Sequence, residues 1–307
     1  MNQIKIFCPA TIANVSCGFD VLGLCLDTIG DEMVIKKVNG KGIKITKIVG
    51  ADLPFEPEKN VAGVAALALY NTVNPDCGFE IEIYKNIKPG SGIGSSSASA
   101  AGAVFGINEL LGKPFSRNEL VAFAMKGEAL ASGSEHADNI APTLLGGFTL
   151  VRGYQPLDII RIESPSQLYA TVIHPQIELK TSEMRAVLNP TVSLKNAITQ
   201  WGNLGGLIAG LYTSDYSLIS RSLEDVIVEP LRKGLIPNFD EVKNAAMKKG
   251  ALGAGISGSG PSIFALSKGI ETAQKVASAM CEAYNNTGID YEIHVSKINA
   301  EGIKIIN

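Results

Sequence analysis

The stretch PGSGIGSSS at 89–97, running on into ASAA, carries the strongest chemical signal in the chain. Gly90, Gly92 and Gly94 allow tight turns and a close approach to a ligand, because no Cβ stands in the way. Ser95, Ser96 and Ser97 fall where a helix begins. The first turn of a helix has unpaired N–H groups at a positive dipole end, which suits phosphate. A serine hydroxyl there also suits Mg²⁺. A flexible linker could have the same composition, but a linker is not followed at once by an apolar, alanine-rich helix. Pro89, Ser91 and Ile93 complete the expected phosphate loop. It is not the lysine-bearing loop G-x-x-x-x-G-K-[ST], for no lysine follows the glycines. A second glycine run, GAGISG at 253–258, matches G-x-G-x-x-G. It follows an expected helix and precedes an expected strand, the reverse of the dinucleotide-binding order. Its glycines, Gly258 among them, are expected to form a backbone cradle beside the first loop, the alternative being a structural turn.

Four further places concentrate polar groups. They are Asn14 to Asp20; Glu128 with His136, Asp138 and Asn139; Thr181 with Arg185; and Arg232. Each has an ordinary structural explanation alone: a capped turn, a solvated helix face, a surface ion pair. Their occurrence together with two glycine loops favours a site. The composition narrows the class. Of 307 residues, 46% are hydrophobic and 19% charged, enough for sizeable cores and too little charge for disorder. A net charge of −3 without a basic stripe argues against a nucleic-acid binder. Cys8, Cys17, Cys25, Cys77 and Cys281 are scattered and odd in number, which fits reduced thiols in a cytoplasmic protein. No signal peptide or membrane-length apolar run is visible.

The elements that must position these groups follow from periodicity. Strands are expected over 4–7, 32–37, 44–49, 79–84, 148–152, 168–173, 262–266 and 291–295. Helices are expected over 60–70, from the serines to about 112, from the capping box Ser116/Glu119 through Glu128, and over 194–211, 238–249 and 271–285. Segment 153–165, with its prolines and glycine, is the expected domain boundary. The alternation implies an α+β protein with helices on mostly antiparallel sheets.

Three motifs in order resemble the GHMP small-molecule kinases, the superfamily of galactokinase, homoserine kinase, mevalonate kinase and phosphomevalonate kinase. Their central motif, P-x-x-x-G-L-G-S-S-A-A, is similar to 89–99, with Ile93 for leucine and one extra serine. Their first and third motifs are similar to 9–20 and 253–261. ASGSEHADNIAP (131–142) and EPLRKGLIP (229–237) are similar to the homoserine kinases within that superfamily. Mevalonate kinases carry a lysine in the first motif, and none stands between Cys8 and Asp27.

The resemblance implies a two-domain GHMP kinase fold. An N-terminal ATP-binding domain (1–155) would hold the glycine-rich phosphate loop, and the C-terminal domain (156–307) would be ferredoxin-like. It implies transfer of the ATP γ-phosphoryl to the side-chain hydroxyl of L-homoserine, giving O-phospho-L-homoserine in threonine biosynthesis. A mevalonate-pathway kinase and a non-catalytic sensor on the same fold are the alternatives. By resemblance, Gly90, Gly92, Gly94 and Ser95 cradle phosphates, and Ser96 and Glu128 hold Mg²⁺ with Thr181 nearby. Arg185 and Arg232 clamp a carboxylate, while Asn14, Asp20, His136, Asn139 and Gly258 line the amino-acid site. Asp20 suits the ammonium group and Asn139 the hydroxyl, or the two are exchanged; Asp20 as a base stays open. A homodimer is expected on the same ground.

Overall fold

In the computed structural model, which describes residues 1–306, the first apolar alternation forms β1 (Gln3–Ala13), antiparallel to the long β2 (Leu22–Val38). The first residues of β2 pair with β5 (Phe148–Tyr154), and its later half pairs with β4 (Gly78–Tyr84). One long strand therefore serves two neighbours. β3 (Gly42–Val49) runs parallel to β4, whereas the other strand pairs among the described residues are antiparallel, in keeping with the mostly antiparallel sheets expected. A parallel pair needs a long crossover, and α1 (Val61–Val73) supplies it, capped by the Asn60 side chain. β6 (Leu157–Ile162) closes a hairpin on β5, and β11 (Lys304–Ile306) returns beside β1.

α1, α2 (Ser95–Leu110) and α3 (Arg117–Ser132) supply core residues that pack with this sheet. Small residues such as Ala98, Ala101 and Ala103 let α2 be buried on nearly every side, as a helix without a polar face must be. The capping box of Ser116 and Glu119 starts α3 as expected. The short α4 (Ile140–Leu145) follows.

The second sheet has the order β10 (Tyr291–Lys297), β7 (Leu168–Pro175), β9 (Ile263–Lys268), β8 (Gly253–Ile256), all antiparallel. Between β7 and β8 come α5 (Thr181–Ala186), α6 (Leu194–Thr213), α7 (Tyr216–Ser222), α8 (Glu229–Arg232) and α9 (Phe239–Lys248); α10 (Ile270–Tyr284) joins β9 to β10. This is the β-α-β-β-α-β order of the expected ferredoxin-like unit. Alternate residues divide between two cores. Ile173, Ile263 and Ala265 belong to a core with Val242 of α9 and Val276 of α10. Val172, Phe264 and Leu266 join the core of the large sheet.

Segment 153–165, expected as a boundary with the division after residue 155, contains β6 and its pairing to β5. The chain leaves the large sheet only after Ile162 and enters the small one at Leu168. We propose the division there. Asn307, the last residue of the expected second domain, lies outside the described residues. No helix among the described residues is long and apolar enough to cross a membrane.

Candidate active site

The turn between β1 and β2 bends sharply. Asn14, Val15, Ser16 and Asp20 have φ of 69°, 41°, 63° and 59°, a region L-residues enter only when the surroundings fix them. Asn14 is the brace: its Oδ1 accepts from the Asp20 N–H at 3.0 Å, and its Nδ2 donates to the Gly258 carbonyl at 2.7 Å. It lines the cavity, yet both ends of its amide are engaged within the protein.

The glycine loops lie against each other. Ser257 Oγ donates to the Gly92 carbonyl at 2.8 Å, and Ser262 Oγ to the Ser91 carbonyl at 2.6 Å. A Cβ on Gly92 would stand 2.5 Å from the Gly260 oxygen, and one on Gly94 would stand 2.1 Å from Thr11 Oγ1. These glycines are needed because other parts of the chain press on the loop, not only for the approach of a ligand. The G-x-G-x-x-G run proves to be strand β8 followed by a hairpin turn. Gly94, with φ 75°, offers no side chain to cap α2, so the N–H groups of the first turn stay available for an anion. Pro89, Gly90, Ser91, Gly92, Gly94, Ser95 and Ser96 line the cavity. Ile93 and Ser97, expected with them, lie behind it: Ile93 is buried in the core, and Ser97 Oγ reaches Glu128.

Glu128, on α3, accepts from Ser96 Oγ at 2.8 Å and from Ser97 Oγ at 3.0 Å on the same oxygen. Burial raises its carboxyl pKa, and the two hydroxyls oppose the rise. Ser96 and Glu128 form a hard oxygen pair at the helix start, the donor chemistry that fits Mg²⁺ when phosphates and water complete its shell. Among the described residues no group of three or more His, Cys, Asp or Glu could hold a metal unaided.

At the other end of the cavity the charges are paired. Arg185 Nη2 donates to both oxygens of Asp20, at 2.8 and 3.0 Å, and lies 3.1 Å from His136 Nε2. Arginine only donates, so Nε2 accepts and the imidazole proton sits on Nδ1. Burial lowers the His136 pKa, which keeps the ring neutral. Arg232 is buried, with Nε on the Met184 carbonyl at 2.9 Å and Nη1 on the Gly258 carbonyl at 3.3 Å. Burial first, then the nearby Arg185, lower its pKa to about 10, still well above neutrality. Both guanidinium groups stand over the ring of Phe19, at 5.4 and 5.2 Å. Two fixed cations facing one space attract a carboxylate.

Thr11 Oγ1 donates to Asn139 Oδ1 at 2.7 Å. With its oxygen engaged, Asn139 offers N–H groups, which can stabilise an alkoxide but cannot take its proton. Thr181 Oγ1 lies 3.3 Å from Ser259 Oγ. One cavity of about 460 Å³ is lined by Asn14, Asp20, Glu128, His136, Asn139, Thr181, Arg185, Arg232, Gly258 and the nucleotide loop.

Sequence reasoning missed two contributors and left a third without a role. Phe19 escaped because a lone aromatic in a turn has no periodicity. Lys85 escaped because lysine was sought after the glycines, not before them; its Nζ meets buried Asp31, the Ser95 carbonyl at 2.9 Å and Ser99 Oγ at 3.1 Å. Asp138 was noted but given no role. It is buried, and burial, then Asp20 and Glu128, push its pKa from 3.8 to about 7.

Comparison with known proteins bears on the family and the fold. The model of the GHMP kinases N terminal domain matches residues 60–147, and that of the GHMP kinases C terminal domain matches residues 207–286. The homoserine kinase of Chlorobium phaeobacteroides is 47% identical over 100% of both chains. That of Chloroherpeton thalassium is 44% identical, again over 100% of both. The crystal structure of homoserine kinase from Cytophaga hutchinsonii superposes with a TM-score of 0.96 at 50% identity, covering 100% of this chain and 98% of that one.

Proposed function

The chain belongs to the homoserine kinases of the GHMP superfamily, ATP-dependent phosphotransferases acting on a hydroxyl group, and from that premise we propose how its cavity carries out the reaction. ATP lies with its phosphates at the start of α2, cradled by the N–H groups of Gly90, Gly92, Gly94 and Ser95. L-Homoserine lies at the arginine end. Arg185 and Arg232 take its carboxylate, and Asp20 takes its ammonium group. The zwitterion inserts into the Asp20–Arg185 pair, so each protein charge exchanges one partner for another and none is left bare.

The side-chain hydroxyl then meets Asn139, whose N–H groups hold the oxygen in line with the γ-phosphoryl. His136 fixes Arg185, and Thr181 stands beside Ser259 at the phosphate side. Ser96 and Glu128 would hold Mg²⁺, which supplies charge neutralisation of the phosphates. The O–P bond to the acceptor forms as the bond to ADP breaks, and the hydroxyl proton passes to an oxygen of the transferred phosphoryl group and from there to solvent. Phosphoryl transfer needs positioning and charge stabilisation far more than covalent help. Asp20 serves binding.

The observation that carries the reading is that a phosphate-and-metal end and a paired-charge amino-acid end line the same cavity. The test is ADP release from ATP and Mg²⁺ with L-homoserine, mevalonate, galactose or L-threonine offered separately. Release with homoserine alone is expected. Release with mevalonate instead would overturn the roles of Asp20, Arg185 and Arg232. ATP binding without release from any acceptor would favour a sensor.

A further inference from the structure

We propose that one buried water molecule bridges Ser16 and Glu229 behind the amino-acid end of the cavity, and that Glu229 is thereby a positioning residue for Arg232. A small cavity of about 10 Å³ adjoins the large one. Ser16, Asp225 and Glu229 line it, and Asn14, Arg232 and Gly258 line both. The Arg232 side chain is therefore part of the wall between them. The volume is about what one water molecule needs. Two polar atoms of the lining residues, Ser16 Oγ and Glu229 Oε2, are shut off from solvent and have no hydrogen-bond partner among the described residues. Ser16 is 4% exposed and Arg232 2%. Buried polar groups are nearly always satisfied, by protein or by an ordered water. A polar cavity of this size, with two such atoms in its lining, is a place for one.

The other polar side chains around the cavity are accounted for. Asp225 Oδ1 accepts from Gln200 Nε2 and from the N–H groups of Ile227 and Val228, and its Oδ2 accepts from the Glu229 N–H at 2.9 Å. Asn14 is engaged at both ends, with Asp20 and Gly258. Glu229 Oε1 accepts from Lys243 Nζ at 2.5 Å. Burial raises the Glu229 pKa, and Lys243 opposes the rise; paired in this way the group is a carboxylate. A carboxylate only accepts and an arginine only donates. One O–H of the water goes to Glu229 Oε2, and Ser16 Oγ, which can give or take a hydrogen, makes the second contact. Arg232 lines the cavity, and the Met184 and Gly258 carbonyls take only some of its N–H groups, so it has one to give to the water oxygen. About three hydrogen bonds are usual for a buried water. A metal cation fits poorly, because the guanidinium in the wall repels it.

The water joins two parts of the amino-acid end. Ser16 sits in the turn between β1 and β2 that carries Asn14 and Asp20, with φ 63°. Glu229 and Arg232 are the first and last residues of α8. Lys243, on α9, braces Glu229 from the other side. A single helical turn has little stability of its own, so the place of Arg232 depends on such ties. The bridge keeps Arg232, which takes the carboxylate, in register with Asp20, which takes the ammonium group. This consequence for substrate rests on the function proposed above; the water does not.

A crystal structure of the substrate-free protein, at a resolution that shows ordered waters, tests the site directly. Density for one water within hydrogen-bond reach of both Ser16 Oγ and Glu229 Oε2 is expected. Those atoms bonded to protein groups with no water between them, or a metal ion in the cavity, overturns the proposal. Steady-state kinetics tests the positioning. Glu229→Gln keeps the shape and an oxygen for Lys243 but takes the carboxylate acceptor from the cavity. The homoserine KM should rise roughly 3- to 10-fold, the worth of one hydrogen bond, with kcat and the ATP KM little changed. In an Arg232→Leu background the same substitution should change the homoserine KM less than about 2-fold, since the arginine it positions is gone. An equal rise in both backgrounds, or an equal rise in the ATP KM, marks a merely structural role and overturns the assignment. Ser16 Oγ has no other partner among the described residues, so Ser16→Ala removes the water contact alone and carries the same comparison where Glu229→Gln does not fold. A wild type that shows the water but releases no ADP with homoserine refutes the proposed function and leaves the water site standing.

Discussion

Replacing Lys85 by Met should loosen the phosphate end of the cavity more than the amino-acid end. The ammonium group of Lys85 is buried with Asp31, and it also holds the Ser95 carbonyl and Ser99 Oγ in the first turns of α2. Methionine fills the space of the stem but leaves the Asp31 carboxylate without its cation. Breaking a buried pair from one side costs ~3–5 kcal/mol. Asp31 keeps the N–H groups of Asn86 and Ile87, both at 2.8 Å, so the lower end, about 3 kcal/mol, is expected. In a protein of this size that lowers Tm by roughly 5 °C. The double variant Lys85→Met/Asp31→Asn removes both charges and retains an oxygen for the two N–H groups, so it should recover at least half of the loss. The assays are thermal or urea unfolding and steady-state kinetics with each substrate varied. The KM for ATP should rise more than that for homoserine, because the displaced group is the carbonyl at the helix start. The reasoning fails if the single variant loses less than about 1 kcal/mol, if the double is no better than the single, or if both KM values move equally.

Three other outcomes follow from the same geometry. Glu128→Gln removes a metal-directed charge but can keep the hydrogen bonds to Ser96 and Ser97; kcat should fall on the order of 10²-fold with folding retained, and near-normal turnover at saturating Mg²⁺ would refute the role. Arg232→Leu should raise the homoserine KM by roughly 10- to 100-fold, the worth of ~1.5–3 kcal/mol for a charged hydrogen bond, with the ATP KM far less affected; an equal effect on both would count against a carboxylate clamp. Asp138 titrates at about 7 when folded, above its ordinary 3.8. A raised acid binds more protons folded than unfolded, so its contribution to stability is complete below about pH 3.8 and is lost as pH rises through about 7. Asp138→Asn cannot titrate and should lack this decline, so that its stability relative to the wild type rises between pH 4 and 7, by up to ~1.4 kcal/mol per pH unit; parallel pH curves for the two proteins would exclude it.

The elements were legible where local chemistry decides them. The capping box at Ser116 and Glu119 fixes the start of α3 through contacts three residues apart, and alternation fixes β4 because a half-buried strand imposes a period of two. The serines after Gly94 mark the start of α2 for the same local reason. Elsewhere distant partners decided. Prolines and a glycine made 153–165 the expected domain boundary, and within it β6 is held as a strand by its pairing with β5. The parallel pairing of β3 with β4 is equally unreadable, since neither strand's pattern names its neighbour.

The sequence by itself determined the kinds of group that make the candidate site: a glycine and serine loop before a helix, an acidic residue on α3, two arginines and an aspartate. It also determined, through the order of its motifs, the resemblance that named their chemistry. Only the tertiary structure decided which groups meet. It set Asp20 on Arg185, residues 165 positions apart, stacked both arginines over Phe19, and turned Ile93 and Ser97 away from the cavity. It also placed Lys85 and Asp31 beneath α2, where burial makes an ordinary ion pair into a support for the phosphate end. Residue types and local periodicity are carried along the chain, but distances, desolvation and the direction of a side chain exist only once remote segments are packed together.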